Sequence, residues 1–337
     1  MAEPVCSIRE WRDVDLEIFQ NEIVARRQPA VLKSLVRDWP AVQEGLKSPA
    51  NICNYIKQFD TEKPANAIVG KPSIKGRFFY RDDLDGFNFE RKLVTISTAL
   101  DNLVSLIDKP DPPAIAMQAV SIPKLLPNFQ KENALSLLDR EVDPRMWLGN
   151  KSTIATHYDI YSNVACVIAG RRHFTLFPPD QLANLYIGPL LKTPGGSPVS
   201  MVDLREPDLA RYPRFEQALE VRQVAILEPG DAIYIPILWW HSVESLESLN
   251  VLVNYWWTGS GTDTDSPFHS VLHSMLSISA LPEDERKIWR DFFDYFVFQI
   301  DNDPGAHLPD DLQDLLGSLA PDARKHLKAL LSQYLMS

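Results

Sequence analysis

Between residues 75 and 258 the sequence repeats one pattern: a short run of β-branched and aromatic residues, then a turn. The runs are "GRFFY", "PAIAMQAV", "RMWLGN", "STIATHYD", "NVACVIAG", "RHFTLFP", "QVAILEPGD", "AIYIP" and "NVLVNYWW". Gly149-Asn150, Gly170, Pro178-Pro179 and Pro229-Gly230-Asp231 punctuate them. Many short strands between Gly/Pro turns predict a sandwich or barrel. One segment, "PDLARYPRFEQALEV", interrupts the strands with a helix.

The flanks differ. In residues 1–60, "LEIFQNEIVARRQ" has helical spacing, "PAVLKSLV" reads as a short strand, and "SPANICNYIKQF" reads as a helix opened by Ser48 and Pro49. From residue 266 the pattern turns helical. Ser266-Pro267 opens one helix, and Leu281-Pro282-Glu283 opens a second that carries Ile288, Trp289, Phe292, Phe293, Phe296 and Ile300 at helical spacing. Two more are expected near 309–319 and 321–336. The boundaries this predicts are a β-rich domain over 1–262, with N-terminal α/β elements, and a helical region over 263–337. The apolar stripes of that region need a partner surface, which points to a homodimer through the C-terminal helices.

With 45% hydrophobic and 23% charged residues, the chain reads as an ordinary soluble one with a large core. A net charge of −11 disfavours nucleic acid and anionic membrane as partners. No apolar stretch reaches membrane-spanning length, and the first residues carry no signal-peptide pattern. Cys6, Cys53 and Cys166 are scattered and odd in number, so a reducing, cytoplasmic location is expected.

"THYDIYSN" places His157 and Asp159 at i and i+2 on a strand, so both project from one face. The third metal-competent group is His241 in "EPGDAIYIPILWWHSVES", at the start of a later strand. Two histidines and one carboxylate with open positions form the facial triad of non-haem Fe(II) oxygenases, although zinc hydrolases use the same donors. Each fragment alone has a plainer reading, as a chance strand pair or a hydrogen-bonded histidine beside Trp239 and Trp240. Their order between these turns makes the site. Arg172, fifteen residues after His157, could hold a dicarboxylate, whereas Arg171 should face solvent. Asn163 lies six residues after His157 at the start of the next strand, and Asn254 is a polar residue in a strongly apolar strand that needs partners if buried. Tyr158, Trp239 and Trp240 are expected to wall the site. "HSVLH" puts His269 and His273 at i and i+4, but it lacks the glutamate of the zinc-protease motif and reads as helix surface. The acidic stretches "DRE" at 139–141 and "DTD" at 263–265 read as solvated.

"THYDIYSN", the cation at 172, "PGDAIYIPILWWHSVES" and "NVLVNYWW" together resemble the cupin-like JmjC oxygenases, in the style of their asparaginyl hydroxylase of hypoxia-inducible factor. "QPAVLKSLVRDWPA" and "VDLREPDLARYPRF" are similar to bacterial members of that group. The resemblance implies a mainly β double-stranded β-helix, a cupin or jelly-roll barrel. It also implies Fe(II), 2-oxoglutarate and O2, and hydroxylation of a protein or peptide side chain. A nucleic-acid base, a small metabolite, a metal-dependent isomerase or hydrolase, and a non-catalytic metal-binding module are the alternatives. By the same resemblance His157, Asp159 and His241 are the iron ligands and catalytic centre. Arg172, Asn163 and Asn254 bind the cosubstrate, with Arg172 in place of a lysine, and Gln118 contacts substrate. The chain departs from the pattern at Ile154, where the family often has Ser or Thr, and at Ala116 or Met117, where it has a tyrosine.

Overall fold

Alternation of inward and outward side chains fixes how these strands pack. In the computed structural model, which describes residues 6–138, 141–258, 266–300, 303–309, 312–317 and 321–336, they form two sheets. The strands are β1 (Cys6–Ser7), β2 (Glu10–Trp11), β3 (Ala30–Leu32), β4 (Ala65–Gly70), β5 (Arg77–Phe78), β6 (Phe89–Val94), β7 (Ala114–Ser121), β8 (Pro144–Gly149), β9 (Ser152–Tyr158), β10 (Ser162–Ala169), β11 (Arg172–Phe177), β12 (Gln223–Leu227), β13 (Ala232–Ile235), β14 (Trp240–Ser245) and β15 (Asn250–Trp257). One sheet runs β1-β12-β11-β14-β9-β5, the other β2-β3-β13-β10-β15-β8-β7-β4-β6. Most pairings are antiparallel and join strands distant in sequence, such as β9 with β14 and β10 with β15. The two sheets face each other across one apolar interior, as the barrel reading expects.

Inside the barrel, Phe174, Leu176 and Leu227 of the first sheet meet Ala165, Val167, Ile233 and Leu252 of the second. The outward residues of the larger sheet, among them Met146, Leu148, Cys166 and Val253, pack with Val42, Ile52 and Leu103 from helices Pro40–Lys47, Pro49–Lys57 and Ile96–Ser105. Each fully buried aliphatic side chain contributes roughly 1.5–3 kcal/mol. A one-residue slip would turn a whole strand's apolar set outward, which is why the register is firm.

The helix opened by Ser48 forms over Pro49–Lys57, and the Ser48 Oγ accepts the Asn51 N–H at 3.1 Å. The Pro229-Gly230-Asp231 turn is anchored to the N-terminal part of the chain. Asp231 accepts from the Ser34 N–H at 2.9 Å and pairs with Lys33. Gly230 has φ +98°, and a Cβ there would stand 3.1 Å from the Arg37 Cα.

Strands β4 and β6 and the helices Pro40–Lys47 and Ile96–Ser105 were not expected. "ANAIVG" is weak in β propensity, and "FERKLV" is a charged strand at a sheet edge, where charge guards against pairing with other chains.

The chain divides into two compact units, 1–262 and 263–337. The second contains helices Pro267–Ser277, Glu283–Phe293 continuing as a π turn over Asp294–Phe298, and Pro321–Met336. Near 309–319, where a helix was expected, the described residues show no α-helix but 3-10 turn, as over Asp314–Leu316. Extended Gly317 ends it (φ −93°, ψ −166°). The "DTD" stretch and Asp139 and Arg140 lie outside the described residues. Among the described residues no helix is long and apolar enough to cross a membrane.

Candidate metal centre

β9 and β14 pair so that His157 stands opposite His241, and their ring centroids are 4.2 Å apart. Directly opposed residues share a face, and His241 is also opposite Leu176, which belongs to the barrel interior. A register shift between His241 and Val243 interrupts the ladder beside the pair. Such irregularities re-aim side chains. Asp159 lies just past the end of β9, where its carbonyl accepts the Leu238 N–H at 2.9 Å. The three potential ligand atoms of His157, Asp159 and His241 all lie within 4.8 Å of one another.

Hydrogen bonds orient the donors. The Nδ1 of His157 is 2.9 Å from the Ala155 carbonyl, and that of His241 is 3.1 Å from the Trp239 carbonyl. A carbonyl there assigns the proton to Nδ1 and leaves Nε2 as a lone-pair donor, the usual outer support of a metal-bound histidine. The Asp159 Oδ2 is 3.8 Å from the His241 Nε2, and its Oδ1 accepts from the Ser197 Oγ at 3.2 Å. Burial, then the neighbouring His157, push His241 down to about 4 against the opposing pull of Asp159. His241 is therefore neutral at pH 7, and its contact with Asp159 is two ligands facing one position, not an ion pair. Two imidazoles and a carboxylate converging in this way fit a divalent transition metal.

The low His241 value has a consequence for the metal-free protein. An unfolded histidine takes up its proton near pH 6.5, whereas this one resists until about 4. Over that window the unfolded chain binds more protons, so stability should fall as the pH drops from about 6.5 to about 4 and level off below. Denaturation midpoints measured across pH 3.5–7 should depend less steeply on pH in His241→Gln than in the wild type. An equal slope would remove this histidine from the account.

Arg172 opens β11 on the same inward face as Phe174 and Leu176. The turn before it holds Gly170 at φ +72°, where a Cβ would meet the Leu249 carbonyl at 2.6 Å. Arg172 is 7% exposed, and its buried Nε has no hydrogen-bond partner. Burial lowers it to about 10, so it is still charged at neutral pH. Arg171 is exposed and bonds the Glu247 carboxylate at 2.7 Å. Asn163 and Asn254 are both buried and joined: the Asn254 Nδ2 donates to the Asn163 Oδ1 at 3.1 Å, and the Trp147 Nε1 donates to the Asn254 Oδ1 at 2.7 Å. Gln118 is half-buried on β7, beside Gly195 of the segment 192–197. That segment is tied down by Tyr80 to the Lys192 carbonyl (2.5 Å) and by Arg91 to the Pro194 carbonyl (2.9 Å).

The departures from the family pattern are neighbours. Ile154 packs in one apolar cluster with Ala116, Ile68 and Phe78, while Met117 faces the opposite side of β7. Tyr158 and Trp240 do not wall the site. Strand alternation turns them outward, where their rings meet at 4.8 Å over Phe177, Leu185 and Phe215. Trp239 is inside, packed with Phe174 and Ile235. His269 and His273 are exposed on their helix. Sequence reasoning missed Ser197 and Trp147. Ser197 sits in an unremarkable "GGSP" loop, but Trp147 shares the β8 face whose alternation was legible.

The cupin-like domain profile matches residues 16–263. A lysine-specific demethylase, JMJ31, of Arabidopsis thaliana is 36% identical over 132 residues, which cover 39% of this chain and 22% of that protein. JmjC domain-containing protein D of Dictyostelium discoideum is 27% identical over 70% of this chain and 53% of its own length. The human bifunctional peptidase and (3S)-lysyl hydroxylase JMJD7 is 25% identical over 78% of this chain and 87% of its own. The chain thus spans 22% and 53% of the first two relatives and most of the third.

Proposed function

This chain belongs to the cupin-like domain family, and on that premise we propose that it is an Fe(II)- and 2-oxoglutarate-dependent oxygenase that hydroxylates a protein side chain. One conjunction carries the reading. The His157, Asp159 and His241 donors converge, and a buried guanidinium without an anion lies in the same barrel. Two of the relatives are named for lysine hydroxylation or demethylation, which supports a protein side chain as target.

Fe(II) with 2-oxoglutarate and O2 supplies the oxidising chemistry: one oxygen atom enters a substrate C–H bond, and 2-oxoglutarate leaves as succinate and carbon dioxide. The chain supplies position and dryness. His157 and His241 present Nε2 lone pairs, and Ser197 holds one Asp159 oxygen so that the other is left for the metal. Arg172 would pair with the far carboxylate of 2-oxoglutarate. Its guanidinium offers several donors in one plane, which offsets the hydroxyls absent at Ile154 and Ala116. Asn163, whose Oδ1 is held by Asn254, itself bonded by Trp147, would offer its NH2 group to the cosubstrate. Phe174, Leu176 and Ile233 would exclude water, and Gln118 would meet the substrate. We also place the protein in the cytoplasm, on its scattered cysteines.

The test is carbon dioxide release from 1-carboxyl-labelled 2-oxoglutarate in the presence of Fe(II), ascorbate and a mixture of cellular proteins. Release that needs Fe(II) is expected. Release equal in the wild type and Asp159→Ala would refute the reading.

We further propose that residues 263–337 pair two copies of the chain. Val271, Leu276, Ile288, Phe292, Phe296 and Ile300 of this unit are exposed apolar residues, more than a soluble monomer ordinarily leaves bare in one short region. Two-fold pairing is the commonest way to cover such a surface. Light scattering should give a dimer for the full chain at micromolar concentration and a monomer for a chain ending at residue 262. A monomeric full chain would refute the idea.

A further inference from the structure

A second guanidinium inside the barrel has nothing to bind. Arg145 lies on β8 two residues before Trp147, on the same face, and is paired directly opposite Asn254 of β15. That face is the interior, because Trp147 bonds Asn254 and Asn254 bonds Asn163, while the alternate residues Met146 and Leu148 are buried under the helices. β10 begins three residues after Asp159, so the row of Asn163 and Trp256 marks the metal end of this sheet, and Arg145 is in the next row inward. Arg145 is half-buried, and its side chain makes no hydrogen bond or ion pair among the described residues. Beside it, the Trp256 Nε1 is buried and lacks an acceptor, with its ring edge-on to Trp147 at 5.8 Å.

Unpaired donors and a part-desolvated charge are costly, so two together on one wall point to an anionic guest. The cosubstrate does not supply it. Its far carboxylate belongs on Arg172, which stands in the opposite sheet and at the other end of the barrel, four residues along β11 from the Leu176 that faces His241. The cosubstrate's other carboxyl belongs at the metal. We infer that Arg145, with the Trp256 Nε1 beside it, recognises a carboxylate of the substrate, so that the chain selects a target side chain that is acidic or has an acidic neighbour. A planar guanidinium is suited to a carboxylate. This rests on the oxygenase reading above.

The experiment uses the full chain loaded with Mn(II) and saturating 2-oxoglutarate. Fluorescence anisotropy compares labelled degenerate peptide pools that carry one fixed Asp or Glu with pools that carry Asn or Gln there. The wild type should bind the acidic pools about tenfold tighter or more, as the loss of a charge-assisted bond implies. Arg145→Gln should bind both pools alike while keeping its affinity for 2-oxoglutarate, which also shows that its barrel is intact. Arg145→Lys should keep part of the preference. Absence of a preference in the wild type, including absence of binding by either pool, overturns the inference, as does a preference that survives in Arg145→Gln. A loss of 2-oxoglutarate affinity in a folded Arg145→Gln would reassign the residue to the cosubstrate and overturn it too. If the wild type itself fails to bind 2-oxoglutarate with Mn(II), the oxygenase reading falls and this inference with it.

Discussion

Asp159→Ala and His157→Ala should each lose metal binding and, with it, all Fe(II)-dependent turnover. Three donors within 4.8 Å make a site only as a set. Removing an outer partner of a metal ligand typically costs about 10–100-fold in affinity, so removing a ligand should cost more. Asp159→Ala should be the harsher of the two, because it also removes the one carboxylate among the three donors that balances the cation's charge. The measurement is metal content after dialysis, together with calorimetric titration by Mn(II). Both variants should keep the wild-type circular dichroism spectrum, since Asp159 lies past the strand end and neither side chain fills the apolar clusters. A variant that binds metal as tightly as the wild type would end the assignment of that residue.

Arg172→Met should separate folding from cosubstrate binding. In the wild type without ligand, Arg172 is a buried cation with no counter-charge among the described residues. Such a charge is a burden on the fold, and an apolar residue of similar length should leave the ligand-free protein as stable or more so. Cosubstrate binding should move the other way. Loss of one partner of a buried charge pair costs roughly 2–5 kcal/mol. At about 100 times its dissociation constant, 2-oxoglutarate should stabilise the Mn(II)-loaded wild type by about 2.7 kcal/mol, seen as a raised Tm. At the same concentration it should stabilise Arg172→Met by less than about 1 kcal/mol. Arg171→Ala, which removes the solvent-side partner of Glu247, should respond as the wild type does. A normal response by Arg172→Met would take the anchor away from this residue.

How much of this was legible without coordinates depended on whether a signal was local. The i, i+2 spacing of His157 and Asp159 is a property of one strand, and strand geometry brings them together. The placement of His241 needed the turns around it, because β9 and β14 meet only through long-range pairing. The same alternation that turns His157 inward turns Tyr158 outward, so the expectation for Tyr158 and Trp240 ran against a rule already in hand. Ser197 had no such rule. It reaches Asp159 through a loop between distant elements, and no spacing encodes that contact. The edge strand "FERKLV" was illegible for a related reason: its charged residues answer to solvent and to the need to avoid other edges, not to a core. Arg145 was not singled out, because nothing in the run "RMWLGN" marks an arginine at a strand start as inward-facing. Only the pairing of β8 with β15 shows that its face is the interior.

The central claim is that one barrel interior holds both a metal and a dicarboxylate, and a crystal structure of the chain with Mn(II) and 2-oxoglutarate tests it most directly. The predicted result is a single metal bound by the Nε2 of His157, an Asp159 oxygen and the Nε2 of His241. The far carboxylate of 2-oxoglutarate should be paired with the Arg172 guanidinium. A metal held by other residues, or a dicarboxylate bound away from Arg172, would contradict it.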